Sequence, residues 1–448
     1  MVSEPTLPSQ ICATLSPVAQ PATGDDTMRL QSAIDHCPTG KAVRLIGGRM
    51  LSGPLTMKSG VTLWVDRGAV LAASVDPRVY DKDGHCGTLD SKGNGCRPFL
   101  LFKDTQGSGI VGDGVIDGQG GQSMQGKRET WWQLARRAQA EGSKQNVPRL
   151  IEIDHARDIT LYRITLHDSP NFHVAMNGVH GATVWGVIID TPANARNTDG
   201  IDLGASQDVT VTHSFIRSGD DNVAIKAGVG RATAHVSLID NHFYWGHGLS
   251  IGSETAGGVS NILVRGLTLD GTISGLRIKS DVSRGGLVSN VRYQDVCLRN
   301  NRRPLDFDTR YDAKAEGNHV PIYRDIVLTD VVGTSGDLVL HGFDADHPLS
   351  ILLDGVRFAP AAHWQIEFAQ IQVGPGGVRP ALPGRQPGAD AYAECEMRWV
   401  PFPTDASEPS AATPVPPDRA ATSSVSTAVN PSVSGRSRPG VHDRAGRR

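Results

Sequence analysis

From Leu150 onward the chain repeats one short pattern, two apolar residues flanking a variable position with a second variable position after them. It reads Ile151-Glu-Ile-Asp, Val174-Ala-Met-Asn, Ile201-Asp-Leu-Gly, Val223-Ala-Ile-Lys, Leu249-Ser-Ile-Gly, Leu276-Arg-Ile-Lys, Leu305-Asp-Phe-Asp and Leu338-Val-Leu-His. Successive starts are 23, 27, 22, 26, 27, 29 and 33 residues apart. A second alternating segment follows in each repeat: Asp158-Ile-Thr-Leu, Ala182-Thr-Val-Trp, Asp208-Val-Thr-Val, His235-Val-Ser-Leu, Asn261-Ile-Leu-Val, Asn290-Val-Arg-Tyr and Asp325-Ile-Val-Leu. Period-2 alternation over so few residues predicts short strands, and one such unit cannot bury its own apolar face. Stacked units share one core, so the pattern predicts an all-β, right-handed parallel β-helix. A propeller needs longer, more regular blades.

Upstream the period changes. Between Gly24 and Pro38, Leu30, Ala33, Ile34 and Cys37 share one helical face, with Asp26 or Thr27 as cap. An open solenoid end exposes core, so a capping helix is expected there. Trp131 to Ala140 predicts a second helix, on an excursion from the stack over Gln122 to Pro148. No aromatic residue follows Phe402, and Asp405 to Arg448 is rich in Ser, Pro, Ala and Arg. That composition predicts one catalytic-sized domain over 1–404 and a disordered tail over 405–448.

Composition narrows the classes. With 44 Lys and Arg against 47 Asp and Glu the net charge is −3, giving no basic footprint for nucleic acid. No run of 18 apolar residues exists to span a membrane. Six cysteines allow fifteen pairings. Close spacing favours Cys12 with Cys37 and Cys86 with Cys96, leaving Cys297 for Cys395. The even count leans towards an oxidising compartment, although Met1 to Gln20 has neither the basic nor the apolar region of an export signal. No His/Cys spacing suits zinc, so no metal or cofactor is expected.

Aligning the repeats on their apolar pairs exposes the chemistry. Two residues before the first apolar position, three successive units carry Asp199, Asp221 and His247, and Asp220 lies beside Asp221. Stacked units are ~4.8 Å apart, so these side chains should form a column. In the next unit Arg277 and Lys279 fill the two variable positions and point outward together. Each residue alone is an ordinary turn or surface residue. A column of acids is different, because like charges stacked across strands repel and contribute nothing to stability.

In this order, Asn197-Thr-Asp-Gly, Gly219-Asp-Asp, Gly246-His-Gly and Arg277-Ile-Lys resemble the signature segments of glycoside hydrolase family 28, the polygalacturonases. Gly112-Asp-Gly-Val-Ile-Asp-Gly-Gln-Gly and Leu55-Thr-Met-Lys-Ser-Gly-Val-Thr-Leu resemble its framework strands, so the resemblance covers roughly 20–400, nearest its secreted bacterial branch. It implies inverting hydrolysis of α-1,4 bonds in polygalacturonate (pectin) by a secreted monomer. By resemblance Asp220 is the general acid, Asp199 and Asp221 hold the water, and His247 tunes the acid. Arg277 and Lys279 would grip the galacturonate carboxylate, Tyr311 would line the sugar site, and Asn197 would position substrate or its own turn. The intervals of 22 to 29 residues across the catalytic units leave no room for a wall, which favours endo cleavage. The one candidate obstruction is the excursion carrying Trp131 and Trp132. An exo enzyme, or a hydrolase of rhamnogalacturonan or xylogalacturonan, is the alternative. A calcium-dependent pectate lyase and a non-catalytic polysaccharide-binding β-helix are more remote.

Overall fold

The computed structural model describes residues 2–18, 25–384, 395 and 398–403. Among these, eleven strands from Leu55–Thr56 to His363–Glu367 stack in chain order into one sheet, every neighbouring pair that joins the repeats being parallel. The register sets Ile151 on Val174, Val174 on Ile201, Ile201 on Val223, Val223 on Leu249, Leu249 on Leu276, Leu276 on Leu305 and Leu305 on Leu338. The apolar pairs therefore point into one shared interior, and the fold is the parallel β-helix the repeat predicts. Parallel pairing also rules out propeller blades. Leu55–Thr56, Leu100–Lys103 and His363–Glu367 extend the stack beyond the eight motifs.

The second alternating segments stack likewise in a 22-stranded sheet, Ile159 on Ala182, Ala182 on Val209, Val209 on Val236, Val236 on Ile262 and Ile262 on Val291. The residue just before each of these apolar positions is left-handed: Asp158, Gly181, Asp208, His235, Asn261, Asn290 and Asp325 have φ between 51° and 79°. Asp, Asn and Gly tolerate that region best, which is why turn residues recur at the start of each segment. One apolar cluster runs unbroken from Leu30 to Leu382. A fully buried Val, Leu or Ile contributes about 1.5–3 kcal/mol, which a single coil with two wet flanks cannot collect.

The helix Thr27–His36 closes one end, burying Leu30 and Ile34 with Cys37 and Ala33 packed alongside. Asp26 holds the N-cap position, but its carboxylate binds Arg29 at 2.5 Å and caps no helix N–H. The excursion carries the helix Trp131–Glu141, started by a reciprocal Thr130/Gln133 capping box that the apolar pattern alone did not reveal. After it, Lys144–Gln145 pairs antiparallel with Leu89–Asp90, outside both large sheets. Disulfides join Cys12 to Cys37, Cys86 to Cys96 and Cys297 to Cys395. A compact unit spans Met1–Pro403, and the tail predicted over 405–448 lies outside the described residues. No helix among the described residues is long and apolar enough to cross a membrane.

Candidate active site

Asp199, Asp221 and His247 each sit two residues ahead of strands that are in register, so they rise as a column. Backbone bonds fix the spacing: Gly200 N–H donates to the Asp221 carbonyl at 2.9 Å, and His247 N–H to the Asp220 carbonyl at 2.9 Å. Asn222 fastens the two turns, accepting from Gly248 N–H and donating to the Trp245 carbonyl. A side chain at Gly219 would place its Cβ 1.8 Å from the Ala195 carbonyl oxygen, so only glycine lets Asp220 and Asp221 turn into the cleft here. The cleft above them has a volume of about 540 Å³ and is lined by Asn197, Asp199, Asp220, Asp221, His247, Lys279 and Tyr311 among others.

The column is a network of matched charges. Asp221 is buried, accepting from Lys279 Nζ and Ser250 Oγ, both at 2.7 Å. His247 Nδ1 lies 3.0 Å from Asp220 Oδ1. Asn197 Nδ2 donates to Asp220 Oδ2 at 3.4 Å, while Asn197 Oδ1 accepts from Gln145 and Arg196. Asn197 thus orients Asp220, a task beyond the two the sequence offered. Tyr311 is 44% exposed, with the Arg277 and Lys279 cations 5.3 and 5.4 Å from its ring centre. Arg277 lies 3.2 Å from Asp306 and 3.9 Å from Asp221, its side chain 15% exposed against 8% for Lys279.

Burial and the carboxylates of Asp220 and Asp202 push the Asp199 carboxyl well above the usual range, and its Oδ1 is buried with no hydrogen-bond partner among the described residues. Burial also pushes Asp220 upward, but the hydrogen bond and charge of His247, with the Lys279 ammonium, outweigh it and hold this carboxyl below the usual range. Clustered acids have thus been driven apart, one towards keeping a proton and one towards losing it. One atom each from Asp220, Asp221 and His247 lie within 4.8 Å of one another, close enough to surround a cation. The Lys279 ammonium already neutralises Asp221 there.

Two site residues escaped the sequence reading. Asp202 and Lys226 fill variable positions of adjacent units and pair at 2.6 Å, with Lys226 3.7 Å from Asp199 and 4.8 Å from the Phe172 ring centre. The register sets Gly204 on Lys226 and Asp202 on Ala224, so the pair is a diagonal between coils, and a search of same-position columns misses it. The excursion borders the cleft, Arg136 and Gln139 lining it and Arg136 Nη2 binding the Asn194 carbonyl at 2.6 Å.

A family model described as "Glycosyl hydrolases family 28" matches residues 35–371. The chain belongs to this family. The endo-polygalacturonase of Pectobacterium parmentieri is 44% identical over 377 residues, covering 83% of this chain and 92% of that one. The polygalacturonase of Ralstonia solanacearum is 38% identical over 490 residues, covering 90% and 92%. The solved polygalacturonase from Erwinia carotovora ssp. carotovora superimposes with a TM-score of 0.80 at 43% identity, covering 83% of this chain and 99% of that one. The four signature segments quoted from the sequence carry Asp199, Asp220, Asp221, His247, Arg277 and Lys279 on the turns and strand just described.

Proposed function

We propose that the chain is a secreted endo-polygalacturonase that hydrolyses α-1,4 bonds between galacturonates with inversion, acting as a monomer. One observation carries the reading: a hydrogen-bonded Asp220–His247 pair faces the same cleft as the Asp199–Asp221 carboxylates and the Lys279 ammonium. Lys279 and Arg277 hold the substrate carboxylate by charge-assisted bonds, Arg277 from beside Tyr311 and Asp221. The Asp220–His247 pair shares one proton. As the substrate enters, that proton moves along the 3.0 Å bond to Asp220, which passes it to the glycosidic oxygen as the bond to the anomeric carbon breaks. Water attacks that carbon from the opposite side, and its proton goes to Asp221 with Asp199 beside it. Three disulfides suit an oxidising, extracellular setting.

Incubation with polygalacturonate in the presence of a chelator tests this. Saturated oligogalacturonides should form, and viscosity should collapse while few reducing ends have appeared. Ultraviolet-absorbing unsaturated products would mean a lyase, and viscosity falling only in step with released monomer or dimer would mean exo attack.

A further inference from the structure

His173 is a titratable group that the reaction above leaves unused. It is wholly buried, and burial holds its imidazole down to about 4, so the ring is neutral and carries one N–H. A carbonyl can only accept, which places that proton on Nδ1, donating to the Asp199 carbonyl at 3.0 Å. The other ring nitrogen accepts from the Thr191 hydroxyl at 2.7 Å. The His173 backbone N–H donates to the same Asp199 carbonyl at 2.9 Å, so this residue fixes the Asp199 turn twice. Behind Thr191 stands Trp245, whose Nε1–H donates to the Thr191 carbonyl at 2.9 Å.

Trp245 also holds the turn of the other acid. Its carbonyl accepts from Asn222 Nδ2 at 3.0 Å, and Asn222 Oδ1 accepts from Gly248 N–H at 2.9 Å, which closes the turn presenting His247. One residue therefore joins the corner behind Asp199 to the turn behind the Asp220–His247 pair. What braces it comes from the far end of the chain. Residues 398–403 follow the Cys297–Cys395 bridge and form a strap over this corner. Tyr244 Oη donates to the Val400 carbonyl at 2.6 Å, and the Phe402 ring meets the Tyr244 ring edge-on at 5.1 Å. The Arg217 guanidinium is 3.8 Å from the Phe402 ring centre and 4.5 Å from that of Trp245, contacts that favour a cation against an aromatic ring. Arg217 also grips Asp190, the neighbour of Thr191, through two bonds at 2.5 and 2.6 Å.

We propose that Trp245 is a positioning residue: braced by the C-terminal strap through Phe402 and Arg217, it sets the separation of Asp199 from the Asp220–His247 pair. The inference rests on the polygalacturonase reading above and adds to it a residue outside the four signature segments. Bulk alone does not account for an indole here, since a ring without an N–H would fill the space and leave the Thr191 carbonyl unmet. Inversion needs the acid and the water-holding carboxylates at a fixed separation across the sugar. A shift of either turn therefore slows bond cleavage more than it weakens binding.

Two variants test this, their folding checked by the melting midpoint. Trp245→Phe keeps a ring and removes the N–H, and Phe402→Ala slackens the strap. Each should lower kcat on polygalacturonate by about tenfold or more with little change in KM, the signature of misplaced groups and not of lost binding. Phe402→Tyr, which keeps the aromatic ring, should retain wild-type kcat. With isotope-labelled histidine, the ring nitrogen resonances of His173 and His247 should both move in Phe402→Ala, whose substitution touches neither ring. A loss confined to the melting midpoint, with kcat and both resonances at wild-type values, would make Trp245 a packing residue and overturn the proposal. The resonances are read without substrate. If the wild-type protein cuts no polygalacturonate, the polygalacturonase reading falls and the resonances alone decide: displaced ones uphold the positioning role, and unmoved ones overturn it.

Discussion

Asp199 and Asp220 face one cleft in neighbouring coils, yet their environments give them opposite effects on stability. A carboxyl raised in the folded state contributes most below its unfolded value of about 3.9, and that contribution is lost as pH rises through the folded value. Asp199 is of this kind. Asp199→Asn should therefore raise the melting midpoint at pH 7 and change it little below about pH 4. Asp220 is held low, so its contribution is present above the unfolded value and lost as pH falls through the folded one. Asp220→Asn should lower the midpoint at pH 7. Calorimetry of both variants decides, and shifts of the same sign at pH 7 would sink the assignment. Both substitutions, and Asp221→Asn, should cut turnover at least a hundredfold, within the 10²–10⁴ typical of general acid or base loss. An aryl galacturonide with a leaving group that needs no proton separates the roles, because only the variant lacking the acid regains activity on it. If Asp199→Asn is the one rescued, the acid is Asp199. The pH–rate profile should be bell-shaped with a mildly acidic optimum, its basic limb set by the proton that Asp220 and His247 share. An optimum well above pH 8 contradicts that pair. At this scale the acids, His247 and Lys279 were legible because turn glycines flag them in register. The burial of Lys279 against Asp221 was not, because an alternating strand reports which face a side chain takes and not what covers it.

Within a coil, position depends on turns that tolerate no substitution of shape. Gly219→Ala must move the Ala195 carbonyl, which its Cβ would meet at 1.8 Å. Overpacking of this kind costs about 1–3 kcal/mol. The displaced turn carries Asp220 and Asp221, so kcat should fall far more than stability would suggest, as a 1 Å misplacement costs about a hundredfold. A variant with wild-type kcat would show that this turn does not set the geometry. The strands were legible from alternation alone, since Ile201, Leu203, Val223 and Ile225 are all wholly buried. Leu100–Lys103 was not, because Leu100-Leu-Phe-Lys stands 51 residues ahead of Ile151, with the excursion in between breaking the interval. The C-terminal contact was equally hidden: the Arg217 guanidinium lies 3.8 Å from the Phe402 ring centre and 4.5 Å from that of Trp245, the former a pairing across 185 residues that no local pattern encodes.

Across the whole molecule the disulfides divide the labour unequally. Cys297–Cys395 spans 98 residues and Cys86–Cys96 only 10. In the chain-entropy account the longer loop is worth more, within the general range of about 2–4 kcal/mol. The Cys297→Ser/Cys395→Ser pair should therefore lower the non-reducing melting midpoint more than Cys86→Ser/Cys96→Ser. The reverse order would show that the shorter bridge stabilises by holding its loop instead. All three pairings followed the spacing of the cysteines, whereas the second cavity of about 590 Å³ beside the catalytic cleft could not be foreseen, since its walls come from segments spread between Lys82 and Glu254. The left-handed residue near the start of each second strand, from Asp158 to Asp325, also governs how such a gene can drift. Losing or gaining one codon between that residue and the end of its strand would turn every later side chain of the strand inside out. A deletion or duplication of a whole coil leaves each remaining coil with a suitable neighbour. Length should therefore change in this lineage by whole turns or at the corners, and the number of sugars gripped can evolve without disturbing the three coils that cut.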